Sequence, residues 1–156
     1  MTSQPQLAQI IGDFNPSSDF TPPPNWYQGR TIYGGLSAAL ALQCALQAAP
    51  QTLPSLKSAQ ILFVGPASGS LRFTPQLLRQ GKSVTSISVD CLSGSEIVLR
   101  AAFVFASSRT SRIQHELFQR PAVEVPESYQ KLPDVGAAPA ALGNFDLRFA
   151  GGSLPV

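Results

Sequence analysis

The pattern of hydrophobic positions changes character near residue 56. Before that point, the stretch from Leu36 to Ala49 consists mainly of Ala, Leu, Gln and Cys, with leucines distributed around much of its circumference. This pattern predicts one long buried helix that ends before Pro50. After it come four short runs rich in β-branched and aromatic residues, which predict four strands: Ala59 to Val64, Ser70 to Arg79, Ser83 to Leu92 and Glu96 to Ala106.

Short turn sequences separate these predicted strands. They are Gly65 to Gly69, Gln80 to Lys82 and Ser93 to Ser95, and each is short enough to join antiparallel neighbours. The last strand alternates a strongly apolar face with a partly polar one, which predicts a central strand packed under the helix. The sequence therefore predicts an α+β fold, with one helix on an antiparallel meander.

Composition narrows the class of protein. The chain has 156 residues and 44% hydrophobic content, enough for one packed domain. Its net charge is only +2 and its basic residues are scattered, so we expect no nucleic acid partner and no membrane surface partner. There is no signal peptide pattern or membrane-span pattern in the sequence, which favours a cytoplasmic protein.

The residues best known for catalysis and metal binding are few. Cys44 and Cys91 lack metal-ligand spacing and are predicted to be buried thiols, and the single histidine, His115, is predicted to lie at the surface. We therefore expect no metal site and no cofactor.

The most informative local feature is Tyr33-Gly34-Gly35 at the start of the predicted helix. Two glycines there allow a close approach, and the first-turn N–H groups favour a negative or polarised oxygen. The same glycines would equally let another strand cross the helix end. The sequence leaves both interpretations open.

Four pieces together resemble the first half of a double hot-dog acyl-CoA thioesterase of the thioesterase II-like family. They are Tyr33-Gly34-Gly35, Phe63-Val64-Gly65-Pro66, the hairpin from Leu78 to Ser83, and Ala102 to Ala106. The resemblance covers about Asn25 to Arg109. It implies a hot-dog fold and hydrolysis, or at least binding, of fatty acyl-CoA thioesters. No piece is specific alone, and Gly81-Lys82-Ser83 lacks the loop and the following helix of a nucleotide phosphate loop.

The resemblance also suggests site residues. Backbone N–H groups of Gly34 and Gly35 would form part of an oxyanion site, or would simply complete the helix start. Substrate contacts would come from Tyr33, Leu36, Phe63, Arg79, Lys82 and Ser83. Of these, Tyr33 is equally suited to core packing. The cations Arg79 and Lys82 would hold the phosphates of coenzyme A, or would be ordinary solvated side chains beside a turn.

The resemblance and the composition of the chain after Arg109 together predict the domain organisation. Residues 1–109 are predicted to form a hot-dog domain, residues 110–143 a Pro/Ala-rich linker, and residues 144–156 the opening strand of a second hot-dog unit. The family takes its catalytic carboxylate from the second unit, and the predicted helix here has no Asp or Glu. We therefore expect a fragment or half-enzyme that forms a homo-oligomer through its sheet edges. The alternative is a non-catalytic acyl-CoA-binding or assembly module.

Overall fold

The computed structural model describes residues 4–113, 115, 117–133 and 138–152. Two α-helices and six strands occur in these residues, and their order is α1 Leu7–Asp13, β1 Tyr27–Gln28, β2 Thr31–Ile32, α2 Gly34–Ala48, β3 Leu56–Phe63, β4 Leu71–Gln80, β5 Val84–Ser93 and β6 Glu96–Ala106. Short 3-10 helices add Pro24–Trp26, Pro126–Ser128 and Ala140–Asn144.

The long predicted helix is present as α2. It begins at Gly34, two residues earlier than predicted, and ends where Ala49 adopts extended backbone before Pro50. Its buried residues recur at helical spacing and face the sheet: Leu36, Ser37, Leu40, Ala41, Cys44 and Ala45. The burial is confined to one stripe, which lies against strands β4, β5 and β6, and Leu46 outside this stripe is 44% exposed.

The main sheet has four antiparallel strands in the order β3-β6-β5-β4. The hairpins that join β4 to β5 and β5 to β6 are as predicted, and β6 is a central strand. The predicted meander is wrong for β3, which pairs with β6 instead of β4. The reason lies in the loop of residues 65–69, which is held away from a tight turn by hydrogen bonds from Gly65 N–H to the Val98 carbonyl (3.2 Å) and from Ile32 N–H to the Ala67 carbonyl (2.9 Å).

Strand β3 is an edge of this sheet. Most of the sheet's contacts with α2 come from β4, β5 and β6, and β3 is mostly exposed along its length. The apolar side chains at its end, Leu62, Phe63 and Val64, are each more than half exposed. An apolar strand edge of this kind is suited to pairing with another strand.

The region after the sheet folds back onto the start of α2. Asn25 Nδ2 donates a hydrogen bond to Asn144 Oδ1 (2.8 Å), and Asn144 Nδ2 donates one to the Asn25 carbonyl (2.7 Å). The ring of Phe145 packs edge-on against Trp26 and against Tyr33. Residues 153–156 lie outside the described residues, so the opening strand predicted for 144–156 stays a prediction, as do the domain boundaries.

Candidate functional site

The start of α2 presents two backbone donors. Tyr33 is the N-cap residue, and its carbonyl accepts hydrogen bonds from Leu36 N–H (3.0 Å) and Ser37 N–H (3.3 Å). The N–H groups of Gly34 and Gly35 come before these and donate no hydrogen bond within the described part of the chain. Together with the positive end of the helix dipole, they can stabilise an oxygen that carries negative charge.

Aromatic rings lie beside the two glycines that carry these donors. A Cβ built on Gly34 would lie 3.0 Å from Cε1 of Phe63, so the Phe63 ring lies directly against this glycine. A Cβ on Gly35 would meet the Tyr33 ring, whose Cζ would be 3.0 Å away. Tyr33 in turn packs against Trp26, with ring centroids 6.4 Å apart. We call Tyr33, Gly34, Gly35 and Phe63 the helix-start cluster.

Leu36, the next predicted contact, lies below this cluster. Its side chain is 1% exposed and belongs to the hydrophobic core, and so do Cys44 and Cys91. Burial raises the pKa of the Cys44 thiol to about 11 and that of Cys91 to about 12. Both cysteines are therefore neutral, enclosed thiols, as predicted, and neither is suited to act as a nucleophile.

The remaining predicted contacts lie at the other end of the sheet. Arg79, Lys82 and Ser83 belong to the end of β4 and the β4–β5 hairpin. Phe63 pairs with Leu99 of β6, whereas Val84, which follows Ser83, pairs with Ala106. These two positions on β6 are separated by roughly 23 Å at the usual rise per residue of a strand. One unit therefore does not bring the two sets of predicted residues together.

The hairpin instead adjoins two cations that the sequence analysis did not single out. An open surface pocket of about 440 Å³ is lined by Lys57, Ser83, Val84, Ala106, Ser107, Ser108 and Arg109. We call it the basic pocket. Its two cations line one pocket because β3 pairs with β6, which places the start of β3 beside the segment that follows β6. The predicted meander places β3 beside β4, so it does not bring these two cations to one pocket.

Comparison with known proteins identifies the family. The sequence pattern of the acyl-CoA thioesterase N-terminal domain matches residues 22–106, more than half of the chain. The chain belongs to this family. Among curated proteins, none matches the chain significantly.

Solved structures similar to this acyl-CoA thioesterase N-terminal domain have the hot-dog fold. A conserved hot-dog protein of unknown function from Alicyclobacillus acidocaldarius superposes with a TM-score of 0.64 at 24% identity, over 76% of this chain and 44% of that protein. A protein assigned to thioesterase II from Thermobifida fusca YX gives 0.61 at 16% identity, over 74% and 43%. The tesB protein of Mycobacterium avium subs. paratuberculosis gives 0.53 at 23%, over 62% and 38%. The chain thus has an α+β hot-dog fold and spans less than half the length of these proteins.

One carboxylate of the thioesterase N-terminal domain, Asp90, is engaged by an arginine. Asp90 accepts two hydrogen bonds of 2.7 Å from Arg100, and these lower the pKa of its carboxyl. Because Ile87, Val89 and Cys91 face the helix, Asp90 lies on the opposite face of β5. It is therefore poorly placed to act as a base at the helix start.

None of the described helices is long and apolar enough to cross a membrane. The described residues also contain no group of three or more His, Cys, Asp or Glu arranged to hold a metal ion. His115 is exposed, as predicted.

Proposed function

We propose that this chain is one half of a fatty acyl-CoA thioesterase, in which the helix-start cluster binds the thioester group. The observation that carries the proposal is the pair of unengaged N–H groups of Gly34 and Gly35 inside the family's matched region. In thioester hydrolysis, the carbonyl oxygen becomes an oxyanion in the tetrahedral intermediate. Backbone donors fixed at a helix start stabilise that oxygen without reorganising during the reaction.

The aromatic side chains around the donors suit the apolar part of such a substrate. Phe63 is exposed and lies over Gly34, and Tyr33 is half-buried beside it. Within this proposal they line the entrance for the acyl chain, while Leu36 supports them from the core. Residues that combine an apolar wall with a few fixed donors are typical of small-molecule sites.

The proposal assigns the general base to a second hot-dog unit. Thioester hydrolysis needs a base as well as an oxyanion site. Helix α2 has no Asp or Glu, and Asp19, Asp90 and Asp146 each form an ion pair with an arginine. The same observation favours a second candidate function, in which the chain binds acyl-CoA or assembles with a partner and does not hydrolyse the thioester.

The exposed edge of β3 is where we place the second unit. A second copy of this chain can pair there, so the proposal includes a homo-oligomer that reproduces the edge pairing of a double hot-dog. Helix α2 of that copy also has no Asp or Glu, so turnover by the homo-oligomer would require a base from outside this helix. It also includes the division into a hot-dog domain (1–109), a linker (110–143) and an opening strand (144–156). A cytoplasmic role in fatty acid metabolism completes it.

The test measures release of free thiol from acyl-CoA esters of increasing chain length, and binding of a non-hydrolysable acyl-CoA analogue by calorimetry. Binding without turnover supports the half-enzyme and the binding module, and turnover supports a homo-oligomer that is complete. Absence of both binding and turnover would refute the proposal.

A matched pair of variants at Gly34 tests the donor directly. Gly34→Pro removes the N–H group at the first helical position, where proline is well tolerated, and Tyr33 already has the extended backbone that precedes proline (φ −57°, ψ 123°). Gly34→Ala adds a Cβ in the same place but keeps the N–H group. We expect Gly34→Pro to weaken analogue binding or turnover and Gly34→Ala to retain it. Binding and turnover that both variants retain would exclude the Gly34 donor.

A further inference from the structure

The cations of this protein are not distributed evenly once the chain is folded. Among the described residues, four cations form ion pairs with carboxylates: Arg72, Arg100, Lys131 and Arg148. The other seven form no ion pair with any described residue, and four of them lie at the end of the sheet where β3 begins and β6 ends: Lys57, Arg79, Lys82 and Arg109. This end of the sheet therefore carries uncompensated positive charge.

The basic pocket lies at this end. Its lining combines two cations with three serine residues, and it includes no carboxylate. Side chains of this kind offer donors from lysine, from the arginine fork and from hydroxyl groups. The pocket is therefore built to accept an anion with several oxygen atoms.

A β-bulge directs Lys57 toward the pocket. The register of β3 against β6 shifts between Leu56 and Ser58, so Lys57 is the extra residue of the bulge. Its Nζ lies 3.5 Å from the Ser108 hydroxyl. The ammonium group is thus held at the pocket wall by a hydroxyl contact, and no described carboxylate neutralises it.

Backbone hydrogen bonds fix the walls of the pocket. Ser107 N–H donates to the Ser83 carbonyl at 3.0 Å, which joins the end of β6 to the β4–β5 hairpin. Ala106 N–H donates to the Ser55 carbonyl at 3.0 Å, which joins the same strand end to the segment before β3. The cations of the pocket therefore extend from a braced backbone.

We propose that the basic pocket is a binding site for phosphate esters, and that Lys57 and Arg109 are its charged ligands. A phosphate monoester carries close to two negative charges at neutral pH and three strong acceptor oxygens, which match two cations and several hydroxyls. This inference rests on the proposed function and adds a substrate contact to it. The phosphate ester is then the nucleotide end of coenzyme A. The same cations and hydroxyl groups would also bind the phosphate of another nucleotide.

The experiment measures calorimetric affinities of the full chain for coenzyme A, for adenosine 3′,5′-bisphosphate and for pantetheine, which lacks phosphate. The variant is Lys57→Gln combined with Arg109→Gln. Arg120→Gln is the control, because Arg120 is exposed and does not line the pocket. We expect the double variant to lose at least about tenfold in affinity for both phosphate compounds, the loss typical of one charged hydrogen bond or more. The control variant should bind both compounds as the original chain does.

The two proposals fail separately. If the bisphosphate binds through Lys57 and Arg109 but acyl-CoA analogues do not bind, the pocket stands and the thioesterase proposal falls. If acyl-CoA analogues bind equally to the original chain and the double variant, the pocket is refuted and the thioesterase proposal stands. Loss of pantetheine binding in the double variant would also contradict the proposed phosphate site, because pantetheine has no phosphate group that Lys57 and Arg109 could bind.

Discussion

Adding one methyl group at Gly35 should destabilise the fold, whereas the same change at the neighbouring Gly34 should not. The new Cβ at Gly34 would meet the ring of Phe63, which is 58% exposed and free to turn toward solvent. The new Cβ at Gly35 would clash with the ring of Tyr33. That ring is packed against Trp26 and, with centroids 5.5 Å apart, against Phe145.

The magnitude follows from what Tyr33 would lose. Both substitutions replace a helical glycine by alanine, which stabilises each variant by about 0.5–1 kcal/mol. Displacing the Tyr33 ring removes two aromatic pairs, each worth about 0.5–1.5 kcal/mol. Because the helix gain is common to both variants, Gly35→Ala should be less stable than Gly34→Ala by about 1–3 kcal/mol.

Urea denaturation followed by circular dichroism measures this difference, provided that the two variants share one m-value. The Tyr33→Ala background supplies the control, because removing the ring should make Gly35→Ala neutral or stabilising there. Equal stability of Gly35→Ala and Gly34→Ala would refute the reasoning. A cost of Gly35→Ala that persists in the Tyr33→Ala background would show that the clash is not its cause.

Three further predictions concern other parts of the fold. Asn144→Ala should destabilise the protein by about 1–3 kcal/mol in urea denaturation, because it leaves polar groups of the buried Asn25 with fewer partners. Stability should fall as the pH rises above about 9 toward 11, since the thiols of Cys44 and Cys91 ionise first in the unfolded chain; Cys44→Ala should reduce that fall in pH-dependent unfolding. Asp90→Asn should leave any thiol-release activity unchanged, because this side chain lies on the face away from the helix.

Local sequence was enough to predict most of the elements. The helix, the two hairpins and the central position of β6 depend on propensity and turn chemistry within short segments. The strand with which β3 pairs does not depend on local sequence alone. The loop that follows β3 has a length that suits either a hairpin to β4 or a connection that crosses to another part of the sheet. Its path is decided by the hydrogen bonds of Gly65 with Val98 and of Ile32 with Ala67, which join segments far apart in sequence.

The same distinction applies to the site. The helix start was visible because Tyr33-Gly34-Gly35 is a continuous motif. The basic pocket was not visible in the sequence, because only the strand order and a bulge bring Lys57 and Arg109 to the same pocket. Neither the strand order nor the bulge can be recognised from the sequence of one short segment. The packing of Phe145 on Tyr33 likewise joins residues far apart in sequence, so no local pattern predicts it.

The separation of the helix-start cluster from the basic pocket has a consequence for assembly. Within one unit the two lie at opposite ends of the sheet, at least roughly 20 Å apart along the strands. Antiparallel pairing of β3 with β3 of a second copy reverses the strand direction across the edge. The Leu56 end of one copy then lies beside the Phe63 end of the other. Each basic pocket would thereby adjoin the helix start of the partner copy, and one ligand would contact both.

Mixing two defective variants tests this arrangement. Lys57→Gln combined with Arg109→Gln damages only the pocket, and Gly34→Pro damages only the helix start. If each site combines the two copies, one site of every mixed dimer has both parts intact. An equimolar mixture that exchanges freely should then bind a non-hydrolysable acyl-CoA analogue at about a quarter of its sites, although neither variant binds it well alone. If each copy holds its own ligand, no site in the mixture is intact. Binding no better than that of the separate variants, with exchange shown by mass spectrometry, would therefore exclude the shared site.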